Sequence, residues 1–197
     1  MEDSSSGKPR LPKKDRGQKK SVLRWAVKLF VVTIFISMFF SLLSQGILKD
    51  VGYLVAFFVL AFFILLGIIF DIIGVAVTSA SEPPFNSMAS RKVAGAREAI
   101  ILVRRADKVS SFCNDVVGDI SGIISGSTGA LIAAALVTDF SVNTVVVQLI
   151  ISGLVSGFTV GGKALGKGVA ISHSTRIVHF TGKLIFVFKS IFLRSKK

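Results

Sequence analysis

Four long apolar stretches run through this chain of 197 residues. A helix needs roughly 20 apolar residues to cross a bilayer core about 30 Å thick. None of the stretches shows the alternating pattern of a membrane β-barrel strand. The chain is therefore predicted to be an all-α integral membrane protein with four transmembrane helices, at about residues 22–45, 51–78, 112–137 and 144–161.

The segments around these stretches complete the predicted organisation. Residues 1–21 are polar and basic, which predicts a disordered tail. Residues 22–46 are predicted to form an extra, peripheral transmembrane helix, and residues 51–170 the transmembrane core. Within the core, residues 85–111 alternate apolar and basic positions with helical period and predict a cytoplasmic helical hairpin. Residues 171–197 predict an amphipathic belt helix on the membrane surface.

The lysines and arginines are concentrated in three segments of the chain. Lys and Arg number eight in residues 1–24, six in 79–112 and eight in 162–197, whereas residues 46–50 and 138–143 hold only Lys49. Positive residues concentrate on the cytoplasmic side of membrane proteins. Both termini are therefore predicted to be cytoplasmic, in a plasma (inner) membrane. The net charge of +13 then reflects topology and contact with the lipid bilayer, and nucleic acid is not the expected partner.

Small residues recur every four positions in the third and fourth stretches. Such stripes let helix backbones approach closely in lipid. They predict that both helices are central, and that the stripes serve either a homodimer or intramolecular packing alone. The stripes are Gly118, Gly122 and Gly126, and Gly153, Gly157 and Gly161.

Polar residues at the ends of two apolar stretches are the candidate functional site. Serine hydroxyls, an amide and carboxylates form an all-oxygen ligand set, which hard divalent cations prefer. Helical spacing also predicts that Asp71, Thr78 and Glu82 share a face, where Asp71 either makes an interhelical hydrogen bond or serves function. Glu82 is either a ligand or the partner of an arginine such as Arg91. The predicted metal ligands are Ser79, Ser81, Glu82, Asn114, Asp115 and Asp119.

Three segments follow one another in a recognisable order and spacing. Ser79-Ala80-Ser81-Glu82 is followed by Phe85, Ser87 and Arg91-Lys92; then come Phe112-Cys113-Asn114-Asp115-Val116-Val117-Gly118 and Gly161-Gly162-Lys163-Ala164-Leu165. Together they resemble the transmembrane domain of CNNM/CorC-type magnesium transporters over about residues 52–195. The resemblance implies a dimeric three-helix core, a cytoplasm-facing cavity for dehydrated Mg²⁺, and sodium-coupled export with Na⁺ as the coupling ion.

The chain departs from that family at several positions. Pro83-Pro84 replaces Thr-Ala, Asp115 and Gly118 replace two asparagines, and Thr159 stands where the family has a glutamate. Asp115 or Asp119 is expected to restore the missing charge. No nucleotide-sensing CBS domain is expected after Lys197, so regulation through that module should be lost.

Motifs typical of enzymes are absent from the sequence, which predicts a protein that is not an enzyme. Two functions remain. The serines, Glu82 and Asn114 favour a divalent-cation transporter or exporter, with Mg²⁺ as the transported ion. The loss of the glutamate at Thr159 favours the alternative, a non-transporting membrane scaffold or regulatory subunit on the same fold.

Overall fold

The computed structural model describes residues 27, 30–39, 42, 52–140 and 143–194, and every regular element in them is helical. The predicted tail and most of the predicted extra helix lie outside these residues. The elements are α1 (Phe30–Phe39), α2 (Tyr53–Ser79), α3 (Pro83–Ser90), α4 (Ala96–Arg104), α5 (Ala106–Ser111), a π-helix (Phe112–Gly118), α6 (Asp119–Phe140), α7 (Thr144–Ser172) and α8 (Ser174–Arg194).

Three helical segments are long and apolar enough to cross a membrane. They are α2, the continuous run Ala106–Phe140 formed by α5, the π-helix and α6, and α7. Ten further apolar helical residues, Phe30–Phe39, are described in the region of the predicted extra helix. The described residues thus form an α-helical membrane protein, in agreement with the all-α prediction.

Helix α2 is the centre of the bundle and contacts α5, the π-helix, α6, α7 and α8. Its large apolar side chains enter two cores with the neighbouring helices. Phe63 packs with Val116, Ile120 and Ile124, and Ala56 and Leu60 pack with Ile132. In lipid, such contacts stabilise by close packing because the surrounding acyl chains are equally apolar.

Most glycines of the two predicted stripes do not lie at close helix contacts within the described chain. A Cβ on Gly122, Gly126, Gly153, Gly157 or Gly161 would meet no atom within 4 Å, so none of these glycines makes a close contact with a described neighbouring helix. The close approaches occur at glycines outside the predicted stripes, together with Gly118. A methyl on Gly162 or Gly166 would overlap Ile68 or Ile72 of α2. The packing therefore places isoleucines of α2 against glycines of α7.

Helix α7 touches the bundle along one narrow seam. Within residues 144–161, only Val147, Ile151, Val155 and Thr159 are partly covered, and they are spaced four residues apart. Spacing of four keeps side chains on one side of a helix. Helix α7 also runs to Ser172, beyond the predicted end at residue 161, and Gly162 within it packs against Ile68 of α2.

The end of α2 differs from the prediction. The helix stops at Ser79, Ala80 is extended, and Pro83 and Pro84 begin α3, where their missing amide protons are tolerated. Asp71 and Thr78, seven residues apart in α2, lie on one side of that helix, whereas Glu82 is outside it and does not share the predicted face. Asp71 is buried and Thr78 is exposed, with its hydroxyl donating to carbonyls of its own helix. Glu82 lies beyond the helix end.

A layer of short helices closes the same end of the bundle. Ala76 and Val77 of α2, Phe85 of α3, Ala99 of α4, Ala170 of α7 and Val178 of α8 form one fully buried cluster. Helices α4 and α8 cross at Gly95 and Gly182. Gly95 has a left-handed backbone (φ 82°), and a Cβ on Gly182 would lie 2.6 Å from the Gly95 carbonyl oxygen. Only glycines permit this crossing.

Candidate functional site

Three buried oxygen atoms between α2 and the π-helix with α6 have no hydrogen-bond partner in the described part of the chain. They are Asp71 Oδ2, Asn114 Oδ1 and Ser121 Oγ. Asp71 is 5 % exposed and Ser121 2 %. Each unpaired buried polar atom costs about 1–3 kcal/mol, so three together in one interface require an explanation. We call these three atoms the oxygen row.

Two glycines of α2 bring the facing helix close enough to form the row. Gly67, Asp71 and Gly74 are spaced four and three residues apart and so lie on one face of α2. A Cβ on Gly67 would stand 3.2 Å from Ser121 Cβ, and one on Gly74 would overlap the Asn114 amide. Asp71 therefore lies between the levels of Ser121 and Asn114. Because seven residues of helix rise by about 10 Å, the oxygens form a row along α2 and not one compact shell.

The π-helix determines where Asn114 points. A π-helix is wider than an α-helix, is rare, and is often found at functional sites. It spans Phe112–Gly118 and contains Asn114 in its first turn. The Asn114 Nδ2 donates to Ser110 Oγ at 3.4 Å, which leaves Oδ1 directed at Gly74. The amide is thus held by one weak bond with its acceptor oxygen free.

Most of the predicted ligands lie apart from the oxygen row. Ser79, Ser81, Asp115 and Asp119 are exposed, and no ion pair involving the two aspartates occurs in the described part of the chain. Of the six predicted ligands, the structure brings only Asn114 into the buried interface. Asp71 and Ser121 belong to it but were not predicted as ligands.

Glu82 forms an ion pair with an arginine, which was one of the two predicted alternatives. The partner is Arg104 and not Arg91. The Arg104 guanidinium donates to Glu82 Oε1 from Nη2 at 2.6 Å and from Nε at 2.9 Å. This interaction holds the pKa of the Glu82 carboxyl below its ordinary value. A paired carboxylate at the surface of the bundle is a structural contact, so Glu82 is the least available of the predicted ligands.

Thr159, which stands where the resembled family has a glutamate, also has a hydrogen-bonded side chain. Thr159 lies in α7, and its hydroxyl donates to the Val155 carbonyl at 2.7 Å. Among the described residues, no three His, Cys, Asp or Glu side chains are grouped so that they could hold a metal ion. A cation in this interface would therefore be bound by one carboxylate with amide, hydroxyl, backbone or water oxygens.

One sequence signal could have pointed to the row. Gly67, Asp71 and Gly74 interrupt a helix otherwise made of large apolar residues, and two glycines beside a charge indicate a close helix contact at that charge. Ser121 has no comparable signal, because it lies among other small residues. Comparisons with protein-family models, with curated proteins and with solved structures give no match for this chain.

Proposed function

We propose that this protein binds a hard cation along the oxygen row and carries it across the membrane, with Mg²⁺ as the transported ion and Na⁺ as the coupling ion. The observation that supports this proposal is the set of unpaired oxygens of Asp71, Asn114 and Ser121. An ionisable side chain at membrane depth is expensive and usually functional. The carboxylate, amide and hydroxyl oxygens present can each act as a ligand to a cation.

The chemistry of the row fits Mg²⁺ that keeps part of its water. Mg²⁺ gives up its hydration reluctantly and is usually held by one or two carboxylates with several waters retained. The row offers one carboxylate, Asp71, and two neutral oxygens spread along about 10 Å of helix. A partly hydrated ion could pass from one to the next, whereas a fully dehydrated divalent ion would need more ligands at one level.

The orientation follows from the charge distribution. The helical hairpin, the belt helix and both termini are assigned to the cytoplasm because their segments carry almost all Lys and Arg. Phe180, Leu184 and Phe188 of α8 are exposed and would enter the lipid surface, as expected of a belt helix. A cysteine introduced at Ser141 should react with an impermeant reagent from outside and one at Ala94 should not; the reverse labelling would overturn this orientation.

The ion site can be tested by thermal unfolding of the full chain in detergent. A ligand that binds only the folded state raises the melting temperature with its concentration. We expect millimolar MgCl₂ to raise the melting temperature of the wild type above that in NaCl of equal ionic strength. Asp71→Asn and Asn114→Ala should remove this Mg²⁺-specific rise, because each removes an oxygen of the row.

Asp119→Asn is the matched control, since Asp119 is an exposed carboxylate on the adjoining helix. It should keep the rise. If instead Asp119→Asn removes the rise and Asp71→Asn keeps it, the site lies at the residues first predicted from the sequence. Wild-type protein with no divalent-specific rise would contradict the proposed ion binding.

We also propose a homodimer through the glycines of α7 that have open space at their Cβ positions. Gly157 and Gly161 line an apolar groove of about 670 Å³ between α2 and α7, together with Leu60, Ile64, Leu154 and Phe158. Gly157→Leu should shift cross-linked protein in lipid from dimer to monomer. It should leave the monomer folded, because nothing lies within 4 Å of a Cβ there. An unchanged dimer fraction would contradict this interface.

One observation favours the second function, a non-transporting scaffold on the same fold. Glu82 is already paired with Arg104, and the hydroxyl of Thr159 is bonded within its own helix. A chain that had lost transport could keep both contacts for stability. Under this alternative, proteoliposomes of wild type and of Asp71→Asn would show the same Mg²⁺ flux as empty liposomes.

A further inference from the structure

The side chain of Lys163 on α7 extends to Gly118, which lies on the helix that carries Asn114 and Ser121. Its neighbours Gly162 and Gly166 pack against Ile68 and Ile72 of α2, which directs Lys163 into the crevice beside that helix. Its Nζ lies 3.6 Å from the point where a Cβ on Gly118 would stand. Gly118 lies on the facing helix between Asn114 and Ser121, and its carbonyl oxygen is 3.8 Å from the Cβ position of Gly67. The ammonium is therefore near the level of Asp71.

This lysine is placed differently from the other basic residue of its helix. Lys163 continues the inward seam of α7, four residues after Thr159, and is partly buried, whereas Lys167 is exposed. The ion pairs of the described residues are Glu82 with Arg104 and Glu98 with Lys189, so no closed pair joins Lys163 to Asp71. An ammonium inside a helix bundle is unfavourable unless a negative charge lies nearby. Asp71 is the buried carboxylate that can supply it.

We propose that Lys163 is a tethered counter-cation for Asp71, which neutralises the oxygen row when no ion is bound and lowers its affinity for an incoming cation. This inference rests on the proposed function in one respect only, the ion with which Lys163 competes. The physical reason is that a fixed positive charge in a crevice of low dielectric stabilises a nearby carboxylate and repels a second cation. A methyl group at Gly118 would be in ordinary van der Waals contact with the ammonium, at 3.6 Å.

Two measurements on the full chain in detergent test the proposal, with Lys163→Met as the variant and Lys167→Met as the control. The first needs no ion. Lys163→Met should lower the melting temperature in the absence of divalent ions, because Asp71 loses its compensating charge, and Lys163→Met combined with Asp71→Asn should recover most of that loss. Equal losses in the single and double variants would overturn the pairing of Lys163 with Asp71.

The second measurement titrates MgCl₂ against the melting temperature. Lys163→Met should lower the apparent Kd for Mg²⁺ by about tenfold relative to wild type, because the competing charge is gone, and Lys167→Met should not change it. A Kd that is unchanged or raised in Lys163→Met would overturn the competition even though wild-type Mg²⁺ binding stands. If only Lys163→Met responds to Mg²⁺, the counter-cation is supported and the transport function of the wild type fails.

Discussion

Replacing Gly95 with alanine should lower the melting temperature of the protein by about 5–15 °C, assuming about 2–4 kcal/mol of destabilisation. Gly95 has φ 82°, a left-handed conformation that costs a residue with a Cβ about 1–2 kcal/mol. That Cβ would also lie 2.5 Å from the backbone N and Cα of Lys183, so α8 would have to move away from α4. Thermal unfolding of purified protein in one fixed detergent measures the change.

Gly168→Ala is the control for the alanine itself. Gly168 lies within α7 and has nothing within 4 Å of its Cβ position. Alanine there should be neutral or slightly stabilising, because glycine is the poorer helix former. If Gly95→Ala unfolds at the temperature of the wild type, α4 and α8 do not cross at Gly95 and Gly182 as described.

Replacing Gly74 with alanine should abolish the Mg²⁺-specific rise in melting temperature with little loss of basal stability. The new methyl would occupy the position of the Asn114 amide. The Asn114 side chain is short and held by one long hydrogen bond to Ser110, so it can rotate away at modest cost. It would then no longer present its oxygen to the row.

Gly122→Ala provides the comparison, because a Cβ at Gly122 meets open space. Both variants add one methyl to a glycine in a membrane-spanning helix, and only Gly74 faces the oxygen row. A Gly74→Ala protein that keeps the full Mg²⁺ response would show that Asn114 does not contribute to ion binding.

The helical class could be predicted from the sequence because lipid contact demands long apolar stretches. The ends of the helices could not be predicted as well from the sequence. Whether Gly161-Gly162 ends a helix depends on Ile68 and Ile72 of α2, which fill the space beside Gly162 and Gly166. The π-helix could not be predicted, since its extra residue per turn is stabilised by the packing of the surrounding helices and has no composition of its own.

Of the three residues in the oxygen row, only Asn114 was predicted as a ligand, and Asp71 and Ser121 were not. Asn114 was identified because an amide in an apolar stretch stands out. Ser79 and Ser81 were predicted because their hydroxyls lie at the end of an apolar stretch, but α2 ends at Ser79 and both side chains are exposed. Asp71 and Ser121 lie in one interface between two helices, which approach closely at Gly67 and Gly74, and which glycines face a neighbour is a three-dimensional fact.

The narrow seam of α7 has a mechanical consequence. Along residues 144–161 this helix is held by single side chains one turn apart, and further on chiefly by Ile68 and Ile72 fitting over Gly162 and Gly166. Helix α7 packs on both α2 and α6, and the isoleucines seated on its glycines fix its rotation as well as its distance from α2. This fixed rotation keeps the Lys163 ammonium beside Gly118, as a key is held in one orientation by its slot.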